Sequence, residues 1–582
     1  MRLINVHSYE LHEFWGSQVP TYAILTHTWD DEEVTHQEWL AWLASACPSV
    51  ASKKGFQKIM GACERAKEDR LAWLWVDTNC IDKASSAELS EAINSMYAWY
   101  RDSTACYCYM ADVPAPSGND AEVLSSFRRS RWFTRGWTLQ ELLATSRLVF
   151  YSQSWTILGT KTTLAASIAA ETGIDMACLS ETSGQASIRQ ASVAKKMSWL
   201  ARRETTRVED IAYCMLGLFE INMPLLYGEG MRAFTRLQEE ILRSTNDHTI
   251  FCWAWNDQVP SNWVSMLAPA PCMFKDSADY VTKMAPGNLA PYSITNLGLS
   301  ISLPVLYTLG GVYAALDAGP SQDGPDKRSF IHLCRISQDS MIFERSPFPR
   351  RPVAFTSGNP VNWCRRDMIV QSKPEFRPLG LDPTPRARLG LFILTDEEVF
   401  FERFEGTETL RPSPMCVHRT LTFPSGLLDS KTNLLFLSPP SPEAKDGYHT
   451  AMVAIQAHSY RGGWYLVFFA AAVRESGTYW FSSATHTQNM PKLHPFLHHI
   501  LGDNGGPAGD YEADLELAYN YMRTRAANSW DGLRNYGRQD VDFHVGIGDE
   551  LEVSSKIVVR VASLRTEDCY YRDAPHPCLI SV

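Results

Sequence analysis

A nearly unbroken apolar run at residues 71–76, Leu-Ala-Trp-Leu-Trp-Val, constrains the fold of the first part of the chain more than any other feature. The run ends at Asp77 and shows no alternation between apolar and polar side chains. Strands buried on both faces have such sequences, and they belong mostly to parallel sheets that are covered by helices. The run therefore predicts an α/β domain in which this strand lies at the centre of a parallel sheet.

Short apolar runs and helical stripes alternate on either side of this strand. Further strands are predicted at residues 22–25, 105–110 and 148–151, and a helix is predicted at residues 54–68. Ser85 and Glu88 have the spacing of a capping box, which marks the start of a second helix. The alternation predicts βαβ units, and we place this α/β domain at residues 1–160.

The pattern changes twice further along the chain. Residues 161–255 carry apolar stripes at helical spacing and are interpreted as a helical extension, with helices at residues 193–203, 208–219 and 230–243. Short alternating runs separated by turn residues follow. They predict a β-rich, mostly antiparallel domain at residues 256–582, closest in pattern to a sandwich, with its main helix at residues 510–529.

Composition and charge limit the classes of function. The 582 residues include 54 basic and 65 acidic side chains, a formal net charge of −11, and no basic patch stands out, which argues against nucleic-acid binding. The most apolar run, residues 464–473, is about half as long as a membrane-spanning helix requires. The first residues meet polar and charged side chains too early for a secretory signal. We therefore expect a cytoplasmic protein without a membrane span.

The fourteen cysteines are scattered, without a CxxC pair, and the closest two are Cys106 and Cys108. On a strand this spacing puts both thiols on one face, which is more often a packing pattern than a pair of metal ligands. His494, His498 and His499 have no neighbouring carboxylate or cysteine, so a surface loop is preferred to a metal site. The sequence predicts reduced thiols, no metal and no bound cofactor.

Several ordered motifs in the first third resemble the fungal heterokaryon-incompatibility (HET) domain. They lie at residues 22–29, 33–35, 53–59, 75–83, 95–100 and 131–142. Residues 207–240 resemble the helical segment that often follows this domain. The resemblance implies a fungal protein of self/non-self recognition whose N-terminal domain triggers cell death.

The HET domain is in turn similar in pattern to Toll/interleukin-1-receptor (TIR) domains, which have a flavodoxin-like α/β fold. Residues 137–142, Trp-Thr-Leu-Gln-Glu-Leu, resemble the Trp-Cys-Leu-x-Glu-Leu helix of TIR domains. In TIR domains that cleave NAD, the glutamate of this helix is catalytic, so the resemblance implies Glu141 as the catalytic residue and NAD as a substrate. The sequence departs from the TIR pattern at Thr138, where TIR domains have cysteine, and in the Thr-His-Thr-Trp loop at residues 26–29.

The chemistry of NAD cleavage explains why a carboxylate is needed. Departure of nicotinamide builds positive charge on the ribose, and a carboxylate beneath the ring stabilises this oxocarbenium-like state. Trp137 precedes Glu141 by four residues, so both can contact one ligand from the same helix face. Open parallel sheets bind ligands at the carboxyl ends of their strands. The candidate substrate contacts are His27, Trp29, Asp77, Asn79, Asp82, Arg135 and Trp137.

Each candidate also has a structural interpretation. Glu141 could be a solvated helix residue or an ion-pair partner of Arg135, and Trp137 could belong to the core. His27 could cap its loop. Asp77 and Asp82 could stabilise turns, which is the commoner use of aspartate in a loop. For the whole protein, the alternative to an NAD-cleaving enzyme is a non-catalytic signalling module. Such a module acts through self-association of the N-terminal domain or through another recognition protein.

Overall fold

The computed structural model describes most of the first 372 residues and many strands of the remainder. The exceptions up to residue 372 are 46, 117–119, 257, 261–262, 284–290, 309–310, 325–326, 336–341, 347–351 and 357–364. Beyond it, the described residues are 388–395, 415–423, 428–429, 434–436, 448–459, 464–474, 479–487, 542–554 and 557–567. The chain divides into two compact units, Met1–Ile250 with Ala268–Tyr280, and Phe251–Leu267 with Val281–Val582.

The first unit is built on a seven-stranded sheet. Its strands are β1 (Arg2–Asn5), β2 (Leu11–Glu13), β3 (Ala23–His27), β4 (Trp73–Trp75), β5 (Ala105–Tyr109), β6 (Leu148–Tyr151) and β7 (Ile157–Thr160). Their order across the sheet is β2-β1-β4-β3-β5-β6-β7. The neighbours β4, β3, β5 and β6 are parallel to one another, whereas β1, β2 and β7 run antiparallel to their neighbours. The predicted α/β domain with a parallel core is confirmed.

The strand formed from residues 71–76 lies in the interior of the sheet, but the central position belongs to β3. Strand β3 is buried at all five residues and has a parallel partner on each side. Strand β4 is interior because β1 pairs with its other edge, with Ile4 opposite Leu74. Leu3 and Ile4 are too few apolar residues for periodicity to predict this strand.

The helices of the first unit include those that the apolar stripes predict. They are α1 (His36–Ser45), α2 (Pro48–Ala51), α3 (Lys54–Glu68), α4 (Ser86–Asp102), α5 (Asp120–Arg128), α6 (Trp137–Ala144), α7 (Ala165–Thr172), α8 (Gly184–Gln190), α9 (Val193–Leu200), α10 (Asp210–Tyr213) and α11 (Arg232–Ser244). Helix α3 has the predicted bounds. The helix predicted at residues 208–219 is divided into α10 and a 3-10 turn at Gly217–Phe219.

Helix α4 begins where the capping-box spacing predicts, but only half of the box forms. The Ser85 hydroxyl accepts a hydrogen bond from the backbone amide of Glu88 (3.3 Å). The Glu88 carboxylate accepts from the amide of Asp82 (2.8 Å), not from that of Ser85, and it pairs with Arg2 (2.8 Å). Glu88 therefore ties the start of α4 to the loop after β4 and to strand β1.

The rest of the chain is β-rich and mostly antiparallel, as predicted. Its strands are β8 (Tyr280–Thr282), β9 (Ser293–Thr295), β10 (Gly298–Thr308), β11 (Gly311–Ala315), β12 (Ala318–Pro320), β13 (Lys327–Arg335), β14 (Ile342–Arg345), β15 (Val353–Thr356), β16 (Arg365–Val370), β17 (Arg388–Thr395), β18 (Met415–Phe423), β19 (Leu428–Asp429), β20 (Leu434–Phe436), β21 (Tyr448–Ser459), β22 (Trp464–Arg474), β23 (Tyr479–Thr487), β24 (Asp542–Ser554) and β25 (Ile557–Glu567). Strands β11, β13, β14, β16 and β10 close into a ring, where the sequence pattern suggested a sandwich. Strands β18, β21, β22 and β23 form a separate antiparallel sheet.

Cysteine and histidine positions were the candidates for metal chemistry. Cys106 and Cys108 are both buried on β5, as a packing pattern requires, and both are free thiols. Within the described residues, no cluster of three or more His, Cys, Asp or Glu side chains could hold a metal ion. The three histidines at 494, 498 and 499 and the predicted helix at residues 510–529 lie outside the described residues. None of the helices that the structure describes is long and apolar enough to cross a membrane.

Candidate active site

The carboxyl group of Glu141 lies inside the first unit, against the central strand. Helix α6 follows a 3-10 turn at Arg131–Thr134, and its residues from Thr138 onward are buried. The hydroxyl of Thr26 on β3 donates to Glu141 Oε2, and the indole N–H of Trp132 donates to Thr26 Oγ1 (2.9 Å). Because an indole nitrogen can only donate, Trp132 leaves the Thr26 proton directed at the carboxyl group. Glu141 is 7% exposed, so it is not a solvated helix residue.

Burial raises the pKa of Glu141 to about 8, because the charged form has lost its water. The hydrogen bond from Thr26 opposes this increase, the negative charge of Asp77 adds to it, and the positive charge of Arg203 opposes it. At neutral pH the side chain is therefore mostly a neutral carboxylic acid. A neutral acid can donate a proton, but it must lose that proton before it can stabilise a cation.

The proton on Glu141 makes the stability of the first unit depend on pH. The folded chain keeps this proton while the unfolded chain releases it, so the stabilisation is complete below pH 4.5 and is lost as the pH rises to about 8. Between these values we expect the free energy of unfolding to fall by about 1.4 kcal/mol per pH unit from this group alone. Urea unfolding at several pH values, followed by hydrogen exchange of the β3 and β5 amides, measures the slope.

The matched variant for this measurement is Glu141→Gln, which is neutral at every pH. The difference in unfolding free energy between the native chain and this variant should grow as the pH rises, in favour of the variant. A difference that does not change with pH would show that Glu141 ionises normally in the folded protein.

A second cluster lies at the carboxyl ends of β3 and β4. The Nε2 atom of His27 is 3.0 Å from Asp77 Oδ1, and the indole N–H of Trp29 donates to Asp77 Oδ2 (2.8 Å). Burial alone would raise the pKa of Asp77, but its hydrogen bonds with His27 and Trp29 and the charge of Lys83 lower it to about 2. The structure thus brings three of the predicted substrate contacts together: His27 and Trp29 both contact the ionised carboxylate of Asp77.

Charged residues that the sequence analysis did not select surround this cluster. Glu33 Oε1 is 3.7 Å from His27 Nδ1, and Glu33 also pairs with Lys58. The Nζ atom of Lys83 lies 3.4 Å from the centre of the Trp29 ring. Glu33, Lys58 and Lys83 all belong to HET-like motifs, but their spacing along the chain does not indicate that they meet.

Asn79 is completely buried, and neither atom of its side-chain amide has a hydrogen-bond partner among the described residues. Its backbone carbonyl accepts from His36 Nδ1 (2.8 Å), which fixes the loop after β4. Thr78 Oγ1 and His27 Nδ1 are likewise buried without a hydrogen bond within the described residues. Buried polar atoms are nearly always paired, with protein or with ordered water, so these atoms mark places where water or a ligand group would be stabilised.

The other predicted contacts have partners elsewhere. Asp82 accepts from a backbone amide two residues further on (3.0 Å), which is the turn role of the alternative interpretation. Arg135 donates to a threonine hydroxyl of the helical extension (2.8 Å), and no ion pair joins it to Glu141 in the described structure. Trp137 is half-buried and hydrogen-bonded to Asp210. Trp137 and Glu141 therefore have different partners, despite their spacing on one helix.

Arg203 of the helical extension reaches the start of α6 and was not predicted from the sequence. Its Nη1 donates to the carbonyl of Arg135 (2.8 Å) and to the hydroxyl of Thr138 (2.9 Å), and Arg203 is 6% exposed. Burial lowers the pKa of Arg203 to about 10, and the charge of Glu141 opposes that decrease. Thr138 stands where the TIR motif has cysteine, and its hydroxyl accepts the hydrogen bond from Arg203.

These features define the class of protein: an α/β domain with a parallel core, a buried glutamate beside the central strand, and a polar cluster at the strand ends. Residues 22–122 match the family "Heterokaryon incompatibility protein (HET)". Residues 232–280 match a "Domain of unknown function (DUF8212)". Residues 22–122 are therefore similar to the HET family, in agreement with the HET-like motifs of the first third.

Among curated proteins, the chain is similar to the vegetative incompatibility protein HET-E-1 of Podospora anserina. The two are 41% identical over 232 residues, which is 39% of this chain. The chain spans only 16% of the length of that relative. No solved structure matches the chain.

Proposed function

We propose that this protein acts in fungal heterokaryon incompatibility, and that its HET domain triggers cell death by cleaving NAD between nicotinamide and ribose. The relative HET-E-1 is described as a vegetative incompatibility protein, and its similarity over 232 residues supports the first part. The second part depends on one observation, the buried carboxyl group of Glu141 beside Thr26 on the central strand.

The order of the strands supports a TIR-like interpretation of the domain. Numbered along the chain, the four parallel strands lie in the order 2-1-3-4, which is how flavodoxin-like sheets begin. In such sheets a ligand binds where the order reverses, outside the carboxyl ends of the first and third strands. Here these strands are β3 and β5. Thr26 of β3 donates a hydrogen bond to Glu141. Burial and the charge of Glu141 both raise the pKa of Cys106 on β5, so Glu141 acts on both of these strands.

In the proposed reaction, the C–N bond between nicotinamide and ribose breaks, and its electron pair leaves with nicotinamide. Positive charge then develops on the ribose, and the ionised carboxylate of Glu141 stabilises it. The hydrogen bond from Thr26 favours the ionised form and holds it in place. Water adds to the ribose carbon, and the carboxylate accepts the proton that the water loses.

Because Glu141 is mostly neutral at pH 7, an event that lowers its pKa would raise the activity. Self-association of the N-terminal domain that brings a positive charge near Glu141 would lower its pKa and generate the carboxylate. A protein that kills its own cell must be restrained until it is triggered, and protonation of Glu141 lowers the fraction of the active form at neutral pH.

We expect the purified full chain to release nicotinamide from NAD under crowding conditions. The rate should rise as the pH approaches about 8, because only ionised Glu141 stabilises the cation. Chromatographic measurement of nicotinamide at several pH values and protein concentrations tests both statements. If no condition yields nicotinamide above the protein-free control, the proposal of NAD cleavage is wrong.

The second candidate is a non-catalytic signalling module that recruits partners through its N-terminal domain. The burial of Glu141 is the observation that favours it, because a carboxyl group that is 7% exposed can also serve to hold α6 against β3. In that case cell killing would need the fold of the domain but not the charge of Glu141.

A further inference from the structure

The face of the exposed Trp29 indole is occupied by an ammonium group of the chain itself. Trp29 is 49% exposed, and the Lys83 Nζ atom lies 3.4 Å from the centre of its ring. A cation over an indole face is attracted by the negative potential of the ring. The indole N–H is bonded to Asp77 Oδ2 (2.8 Å), so the edge of the ring is fixed while its face meets Lys83.

Two carboxylates attract a positive charge placed at this indole face. Burial lowers the pKa of Lys83, and the negative charges of Asp77 and Glu33 oppose that decrease. Asp77 is held in place by His27 and by the indole, and Glu33 is held by its ion pair with Lys58. The arrangement of ring and carboxylates therefore does not depend on Lys83, and it would remain if the lysine side chain moved away.

We propose that Trp29, Asp77 and Glu33 form a binding site for a planar organic cation, namely the pyridinium ring of oxidised nicotinamide dinucleotide, which displaces the Lys83 ammonium group. This inference rests on the proposed function and names the chemical form of its substrate. A flat ring covers more of the indole than an ammonium group does, and it retains one positive charge beside the two carboxylates. Lys83 is an exposed residue near the end of the loop after β4, where its side chain can swing into solvent.

The site should therefore distinguish the oxidised from the reduced dinucleotide. The dihydropyridine ring of the reduced form is uncharged, so it lacks the cation–π attraction and the attraction to the carboxylates. The product nicotinamide is uncharged too. Lys83 can therefore return to Trp29 when the product leaves.

Two small probes test the site without any turnover. The 1-methylnicotinamide cation has the charged ring, and nicotinamide is its neutral counterpart. By calorimetric titration of the full chain, the cation should bind about tenfold more tightly than the neutral molecule. In a Glu141→Gln background, in which cleavage should be slower by about a hundredfold or more, oxidised dinucleotide should likewise bind about tenfold more tightly than the reduced form.

The sign of the Lys83→Ala effect tests whether the lysine competes with the pyridinium ring for the indole face. If Lys83 competes with the pyridinium ring, Lys83→Ala should tighten binding of 1-methylnicotinamide by a factor of about three to ten. Trp29→Leu should abolish the preference for the cation. Lys54→Ala is the matched control, since it removes one exposed positive charge from α3 and should change the affinities by less than about twofold.

The inference would be overturned if the native chain bound the two probes with equal affinity. It would also be overturned if the Lys83→Ala variant bound the cation more weakly than the native chain does. Since neither probe is cleaved, the outcome is independent of catalysis. If the protein releases nicotinamide from NAD but shows no preference for the cation, the site is wrong and the proposed function stands. A preference for the cation without any nicotinamide release supports the site and contradicts the proposed function.

Discussion

Glu141→Gln should lower the rate of NAD cleavage by about a hundredfold or more while the first unit stays folded, since this is the scale of effect when one directed electrostatic group is removed. Glutamine keeps the size of the side chain, and its amide oxygen can still accept the hydrogen bond from Thr26. It cannot carry the negative charge that the oxocarbenium-like state requires. Nicotinamide release under the conditions in which the native chain is active measures the loss.

The control for this variant is Glu171→Gln, an exposed glutamate on α7 that should cleave NAD at the native rate. Expression of both variants in fungal cells extends the comparison to toxicity, which should fall only with Glu141→Gln. Full toxicity of a folded Glu141→Gln protein at equal expression would contradict the enzyme and favour the recruitment module.

Gly217→Ala should destabilise the first unit by about 3 kcal/mol or more, through overpacking between the helical extension and α4. An added Cβ would lie 2.0 Å from the Cβ of Tyr97 and 2.4 Å from its Cγ. Those atoms cannot give way easily, because the Cβ is attached directly to the backbone of α4 and carries the Cγ, and the Tyr97 hydroxyl donates to Gln185 (3.1 Å). The first thermal unfolding transition should fall by on the order of 5–10 °C.

Gly324→Ala is the matched control, since a Cβ at that position meets nothing within 4 Å. Differential scanning calorimetry of the two variants and the native chain gives the comparison. If Gly217→Ala unfolds at the same temperature as the control, then the extension does not pack on α4 in solution as described.

Local sequence patterns predicted local structure because the interactions that they report are short-range. The apolar stripe at residues 54–68 predicted α3 with its observed bounds, and the apolar run at residues 71–76 predicted the strand β4. Which strands pair with each other across the sheet was harder to predict from the sequence. Residues 2–5 pair with β4 across about seventy residues, and no periodicity in so short a segment indicates such a partner.

The candidate site was predictable only where topology alone brings residues together. His27 is the last residue of β3 and Asp77 follows β4, and because these neighbouring strands are parallel, they end at one edge of the sheet and the two side chains meet. Thr26 and Glu141 are separated by 115 residues, and their hydrogen bond depends on how α6 packs against β3. The prediction that Trp137 shares a ligand with Glu141 used helix spacing alone, which could not anticipate that Asp210 of the extension would hydrogen-bond the indole.

The antiparallel strands at both ends of the sheet determine which recombinant fragments of this chain can be expected to fold. A fragment cut at the HET family boundaries, residues 22–122, would lack β1 and β2 and would leave the backbone of β4 unpaired along an apolar edge. It would also lack β6, so that β5 would present a second open edge, and it would not contain Glu141 at all. Open apolar edges promote aggregation. If the fragment of residues 22–122 were insoluble or inactive, the missing strands would explain it, and the result would not test whether the full chain cleaves NAD. A fragment that starts at residue 1 and extends past residue 160 keeps the antiparallel strands at both ends of the sheet, β1 with β2 and β7.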